Sequence, residues 1–84
     1  MALINRNEYN YKDQLEFEGE YSNGERNGKG KEYDYYGNLQ FKGEYLNGQR
    51  WNGEGKEYDN KGNLIYQMEY LRGKRKWKKK MVKE

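Results

Sequence analysis

Residues 15–38 recur almost intact as residues 39–63, and a third copy opens at Leu64. Aligned, LEFEGEYSNGER-NGKGKEYDYYGN becomes LQFKGEYLNGQRWNGEGKEYDNKGN, one residue longer because Trp51 is inserted. The third copy, LIYQMEYLRGKR, runs on into lysine-rich sequence. A unit this short is one supersecondary element that cannot bury its own apolar side. Neighbouring copies must stack, and the chain must fold as an array. Function is then expected from an extended surface rather than from an enclosed catalytic pocket.

Each copy opens on strict alternation. Leu15, Phe17, Gly19 and Tyr21 point one way and Glu16, Glu18, Glu20 and Ser22 the other. Leu39, Phe41, Gly43 and Tyr45 likewise oppose Gln40, Lys42 and Glu44. Period-two alternation is the signature of a half-buried strand. Asn23-Gly24 and Asn47-Gly48 follow at once. Asn-Gly accepts the two positive φ angles of a type I′ turn and is the strongest short hairpin signal.

A two-residue loop at Asn23-Gly24 sets a register. Gly19 faces Gly28, Phe17 faces Gly30, Glu18 faces Lys29 and Glu16 faces Lys31. With Trp51 as a one-residue bulge, Gly43 faces Gly53, Phe41 faces Gly55 and Lys42 faces Glu54. The Glu–Lys pair of the first hairpin thus returns in the second with its signs exchanged, as expected of residues that face each other. Each such pair contributes roughly 0.2–1 kcal/mol. Glycines weaken a strand, but a neighbouring ring lying over the bare backbone restores burial. Phe17 over Gly30 and Phe41 over Gly55 would do so. The plainer reading of these glycines is that they mark loops.

The second strand of each unit ends at Glu32-Tyr33-Asp34 and Glu57-Tyr58-Asp59, and Gly37-Asn38 and Gly62-Asn63 turn the chain into the next copy. Glu8-Tyr9-Asn10 is a worn version of the same ending. The chain therefore divides into a half repeat (1–14), repeat 1 (15–38), repeat 2 (39–63) and a degenerate capping repeat with a basic strand or tail (64–84). The expected fold is all-β: tandem antiparallel hairpins in one elongated twisted sheet of about six strands.

Written F-x-G-x-Y-x-N-G-x-R-x-G-x-G-x-x-Y, the unit resembles a MORN repeat. Phe17, Gly19, Tyr21, Gly24, Gly28, Gly30, Tyr33 and Gly37 match, as do Phe41, Gly43, Tyr45, Gly48, Gly53, Gly55, Tyr58 and Gly62 once Trp51 is allowed for. The resemblance covers about residues 15–73. The unit is slightly longer than the usual repeat, and in the third copy Met68 stands for the first glycine. The resemblance implies consecutive hairpins in one sheet, and roles in scaffolding, dimerisation and attachment near membranes, with phospholipid binding among them. It implies no activity, because enzymes that carry such repeats hold their catalysis in other domains.

Leu, Ile, Val and Phe number 11 of 84 residues, a proportion typical of disordered chains. Ten tyrosines and two tryptophans, regularly spaced, oppose that, because each aromatic brings a large buried area. A single-layer sheet of this size has little core and leans on end caps or a partner. Cysteine is absent, so no disulfide is expected. No apolar run suits a signal peptide or a membrane span. The expected location is cytoplasmic, peripheral at a membrane. The net charge is +3, unevenly spread. Residues 1–73 carry ten basic and thirteen acidic side chains, a net of −3, whereas Lys74, Arg75, Lys76, Lys78, Lys79, Lys80 and Lys83 are all basic.

Catalysis is poorly served. Without His or Cys, the commonest general base, the thiol nucleophile and the usual zinc ligands are missing. The carboxylates recur in every copy and read as solvated ladder partners of lysines rather than an acid–base pair. Asp34 and Asp59 stand beside turns, where aspartate bonds its own backbone. No cofactor, metal or small-molecule substrate is expected.

Two surfaces are candidates for contact. Phe17, Tyr21, Phe41, Tyr45, Tyr66 and Tyr70 should line one side of the sheet. They read either as its core or as an exposed apolar row for a partner strand, a helix or a second copy. Trp51, at the bulge, joins them either as a contact or as cover for Arg50 and Tyr45. The segment Lys74, Arg75, Lys76, Trp77, Lys78, Lys79 and Lys80 reads as a capping strand, with Trp77 opposite Met68 and Lys76 opposite Glu69, and with Lys78 and Lys80 on the Lys76 side. It reads equally as a polybasic contact for an anionic membrane, with Trp77 at headgroup depth. A phosphate contact on nucleic acid is less favoured, because the body is acidic and the aromatics are not interleaved with the lysines. The expected function is a non-catalytic interaction or assembly module, docking a protein or a second copy through its aromatic side, at an anionic membrane surface. The alternative is an electrostatic binder of nucleic acid or acidic protein through the basic segment.

Overall fold

A computed structural model describes residues 2–80. They form seven strands: β1 (Ile4–Tyr9), β2 (Leu15–Ser22), β3 (Glu25–Tyr33), β4 (Leu39–Leu46), β5 (Gln49–Tyr58), β6 (Leu64–Leu71) and β7 (Lys74–Lys80). All lie in one antiparallel sheet in chain order, β1 to β7. The count exceeds six because the N-terminal half repeat supplies a full strand, β1, paired along β2. The molecule is a single open layer, 12 Å through its thinnest dimension. Lys83 lies outside the described residues.

Two kinds of turn alternate. At one end, Asn23-Gly24, Asn47-Gly48 and Arg72-Gly73 have positive φ at both central residues, the type I′ geometry that suits the twist of a hairpin. These turns interlock. The Gly48 N–H donates to the Arg26 carbonyl at 2.9 Å, and the Gly73 N–H to the Trp51 carbonyl at 2.8 Å. At the other end the connections are Asx loops. Asp34 Oδ1 accepts the N–H groups of Tyr36 and Asn38, each at 2.9 Å. Asp59 does the same for Lys61 and Asn63, and Asn10 for Lys12 and Gln14. The backbone role expected of Asp34 and Asp59 is what they perform, and Asn10 repeats it in the half unit.

Arg72 holds a left-handed conformation, φ 51°, where the other two turns have Asn. Side chains without local hydrogen bonding are strained there. Arg72→Asn is expected to raise stability by about 1 kcal/mol, the lower end of the left-handed penalty, seen as a higher thermal midpoint. An unchanged or lower midpoint would show that the third turn tolerates arginine without strain.

The second hairpin pairs as the sequence indicates: Gly43 with Gly53, Lys42 with Glu54 and Phe41 with Gly55, the bulge falling at Trp51. The first hairpin does not. After Tyr21 meets Arg26, Gly19 pairs with Gly30, Glu18 with Lys31 and Phe17 with Glu32. The expected Gly19–Gly28, Phe17–Gly30, Glu18–Lys29 and Glu16–Lys31 pairs are therefore replaced. Asn27, Gly28 and Lys29 bow out opposite Glu20 alone. Gly28 takes φ +97° to make the bow, and the Glu20 carboxylate accepts the Lys29 N–H at 2.7 Å. The slip is of two residues, so every side chain keeps its expected side. The exchange of signs survives as Glu18–Lys31 against Lys42–Glu54. Its consequence is that Lys31 faces Lys42 and Glu54 faces Glu69 between hairpins.

Phe17 and Phe41 are fully buried, Met68 and Tyr45 nearly so. They pack against bare strand backbone, leaning diagonally rather than straight across. A methyl built on Gly30 would fall 2.6 Å from Phe17, so that ring covers the expected glycine although it is paired elsewhere. Phe41 covers Gly53, and Gly55 opposite it is covered by Met68 and Tyr70. Each fully buried large side chain contributes about 1.5–3 kcal/mol.

Candidate functional site

The aromatic side of the sheet is organised by rings and by charge. Tyr21, Phe17, Tyr45, Phe41 and Tyr70 form an unbroken edge-to-face chain, with centroids 5.9, 5.1, 5.3 and 5.3 Å apart in turn. Such contacts add about 0.5–1.5 kcal/mol beyond burial. Phe17, Phe41 and Tyr45 have no surface to offer, while Tyr21 and Tyr70 are half-buried. Tyr66 stands apart from the chain and packs on Trp77 at 5.0 Å. Trp51 lies over the next turn, its ring 3.3 Å from where a methyl on Gly73 would sit.

Arginines roof the ring chain. The Arg26 guanidinium sits 4.2 Å from the Phe17 centroid and that of Arg50 4.9 Å from Phe41. Arg26 donates two hydrogen bonds to Glu8, at 2.8 and 3.1 Å, and the Tyr21 hydroxyl donates to the same carboxylate. Glu32 is a heavily bonded carboxylate. It accepts from Arg50 at 2.9 and 2.7 Å, from the Tyr45 hydroxyl at 2.6 Å and from Gln40 at 3.1 Å, and Arg26 lies 3.5 Å away. Burial works to raise the Glu32 pKa, but the bonds from Arg50 and Tyr45 and the charges of Arg50 and Arg26 hold it below its ordinary value. The bonds from Arg26 hold Glu8 low in the same way, against burial. Burial, and then the bond to Glu32, push the Tyr45 phenol far up.

These carboxylates are therefore not ladder partners of lysines. Each is an anchor for an arginine and a tyrosine on the ring side. The sequence carries a signal for this: Glu8 to Arg26 and Glu32 to Arg50 are each 18 residues apart. Glu57 to Arg75 has the same spacing, yet Glu57 is exposed and the Arg75 guanidinium lies over Trp77, 5.0 Å from its ring. The cause is a change of partner across the hairpin. Gly19 and Gly43 meet glycines, Gly30 and Gly53, whereas Met68 meets Trp77. The indole fills the space that glycine leaves open and captures the arginine.

The C-terminal edge differs from the rest. All residues of β7 are exposed, and Trp77 retains 53% of its surface. Trp77 faces Met68 and Lys76 faces Glu69, as the sequence indicates. Met68 buries itself as a cap should, whereas Trp77 does not. A bulge at Lys78 then alters the expected grouping. Lys79 pairs with Gln67 and Lys80 with Tyr66, so Lys80 moves to the aromatic side, its ammonium 5.8 Å from the Tyr66 ring. Lys78 stays on the other side, 3.6 Å from Glu54, with both groups more than half exposed. Such a pair is worth little. Tyr66, Trp77 and the three lysines enclose a shallow hollow of about 490 Å³.

The opposite side of the sheet bears a second hollow of about 600 Å³, floored by glycine backbone and lined by Asn7, Glu18, Lys29, Lys31, Lys42 and Glu44. Among the described residues no group of acidic side chains is arranged to hold a metal ion, and no helix is long and apolar enough to cross a membrane. No family model, no curated protein and no solved structure matches this chain.

Proposed function

We propose that this chain is a non-catalytic interaction module, a MORN-like hairpin array that docks an anionic partner along its C-terminal edge. The observation that carries the reading is β7. It is a seven-residue strand with six basic side chains and one tryptophan, every residue of it exposed. The aromatic row supports docking less well at its centre, because Phe17, Phe41 and Tyr45 are covered by the chain's own tyrosines and arginines. At the C-terminal end the half-exposed Trp77 and the half-buried Tyr66 lie beside Lys78–Lys80. Attachment at an anionic membrane is a second reading, favoured by the half-exposed indole among lysines.

Two β7 strands repel each other, so light scattering across a concentration series is expected to give a monomer at low salt. The monomer should bind an anionic probe, either polyglutamate or phosphatidylserine vesicles, with an affinity that falls as salt rises. Replacing Lys78, Lys79 and Lys80 together by Gln should weaken that binding at least tenfold with an unchanged thermal midpoint. Binding that is insensitive to salt and to the substitutions would remove β7 from the function. A concentration-dependent dimer would move the reading to self-assembly.

A further inference from the structure

The strands β1, β3 and β5 each precede an inter-repeat loop, and β7, the second strand of the third hairpin, is their equivalent in the array. The first three are covered on their outer edge by the following strand, in the same antiparallel manner. β1 is covered by β2, β3 by β4 and β5 by β6, each ladder ending on a bulge at Glu8/Tyr9, Glu32/Tyr33 or Glu57/Tyr58. Among the described residues nothing pairs with the outer edge of β7. Its outward N–H and C=O groups are set out as a template for one more strand.

We propose that the outer edge of β7 receives an extended acidic polypeptide, which adds as an eighth antiparallel strand with carboxylates alternating with apolar or aromatic side chains. This rests on β7 being the docking edge.

Charge selects the occupant. A second copy of β7 would set six positive charges against six. The β1 edge brings Arg6 as well as Glu8 and gains little. An acidic strand would place its carboxylates beside Lys76, Lys78 and Lys79, three cations that have Glu69 across the ladder from Lys76 and Glu54 3.6 Å from Lys78. Opposite charges facing across strands favour pairing.

Alternation selects the pattern. Arg75, Trp77 and Lys80 lie on the aromatic side, facing Tyr70, Met68 and Tyr66, while Lys76 and Lys79 face Glu69 and Gln67 on the other. A guest with rings on one side and carboxylates on the other meets both. A flat anionic surface meets this array less well, because the basic groups project from both sides of the strand. The chain itself holds a strand of the required kind. β2, LEFEGEYS, alternates three glutamates with Leu15, Phe17 and Tyr21, and it lies beside lysine-bearing β3 with Glu18 opposite Lys31. Strand addition of this sort takes affinity from main-chain bonds and specificity from alternate side chains.

The test uses the full chain and a labelled synthetic peptide of sequence LEFEGEYS, followed by fluorescence anisotropy. The peptide should bind at least tenfold more tightly than its Glu→Gln counterpart, and more weakly as salt rises. Two further peptides carry N-methyl groups on one or the other alternate set of amides. In an added strand only one set bonds to β7, so one peptide should lose binding at least tenfold and the other should keep it. Hydrogen exchange across residues 74–80 should slow when the parent peptide binds. Equal affinity for both methylated peptides would overturn strand addition. Binding of phosphatidylserine vesicles or of single-stranded DNA, without binding of the peptide, would also overturn it while leaving β7 as the docking edge. If peptide, vesicles and DNA all fail to bind, the docking edge itself is disproved. The peptide series uses the unaltered protein, so no outcome depends on a variant that folds.

Discussion

Gly43→Ala is expected to destabilise this protein by about 2–3 kcal/mol, the upper part of the range for overpacking. The two physical effects of the substitution oppose each other. Gly43 lies in the middle of β4, with no positive φ, so removing a glycine from a strand should by itself help by about 0.5–1 kcal/mol. The new methyl, however, would sit 2.1 Å from the Asn52 carbonyl oxygen and 2.7 Å from the Gly53 Cα. Both are backbone atoms of the paired strand β5, so relief requires the ladder itself to move. Steric cost should therefore win, and the urea midpoint should fall. Gly30→Val tests the same design against side chains, since its added carbon would meet both Phe17 and Tyr45 within 3 Å. A midpoint that rises in Gly43→Ala would mean that the strands do not approach this closely, whereas an unchanged midpoint in Gly30→Val would mean that the packing of rings on bare backbone has to be given up.

Glu32→Gln is expected to cost about 2 kcal/mol, the scale for hydrogen bonds made to a charged group. The amide keeps the shape but loses the charge shared by Arg50, Tyr45 and Arg26. The loss should be larger than for Glu8→Gln, because the Glu8 side chain is 29% exposed against 12% for Glu32. The pH dependence separates this from a packing effect. The Glu32 pKa in the fold lies below its ordinary value of 4.5. The unfolded chain therefore takes up a proton first as pH falls. The stability Glu32 supplies is complete above about pH 4.5 and drains away as pH drops towards the folded value. Wild-type stability should accordingly decline on acidification, and Glu32→Gln should flatten that decline. At the alkaline end the raised Tyr45 phenol acts with the opposite sign. Its contribution is present below its ordinary value of 10.0 and is lost as pH climbs above it. A Glu32→Gln variant with the same acid limb as wild type would place the acid sensitivity on other carboxylates.

The roofing of the rings is not legible in the sequence, for a physical reason. A glutamate in a strand of alternating pattern looks solvated, and its side is set by register. Parity puts Glu32 on the ring side in either register, but the Asn27–Lys29 bow is what brings it opposite Phe17, and Arg50 arrives from the next hairpin. The spacing of 18 residues was legible, but only the stacking of hairpins turns a spacing into a contact. Tyr66 shows the converse. Its place in the aromatic series was plain, yet Met68 in the glycine position and Trp77 opposite it draw it out of the ring chain.

Several features were determined by the sequence alone. The repeat made this an array. The period-two pattern made it strands, the Asn-Gly pairs made the hairpins type I′, and the lone Trp51 fixed the bulge and every pair beyond it. These are local rules: a turn is settled by the φ its residues accept, and the side a residue takes by parity. Tertiary structure decided which glycine each ring covers, how far the first hairpin slips, which carboxylates leave the lysines for arginines, and which aromatics stay open. Those outcomes depend on the diagonal reach of long side chains across two or three strands. Several partners lie within that reach, and packing and charge together choose among them. The basic run at Lys74–Lys80 and its place as the last strand are legible in the sequence, but the sheet decides that every residue of it stays exposed and that Lys80 turns to the aromatic side.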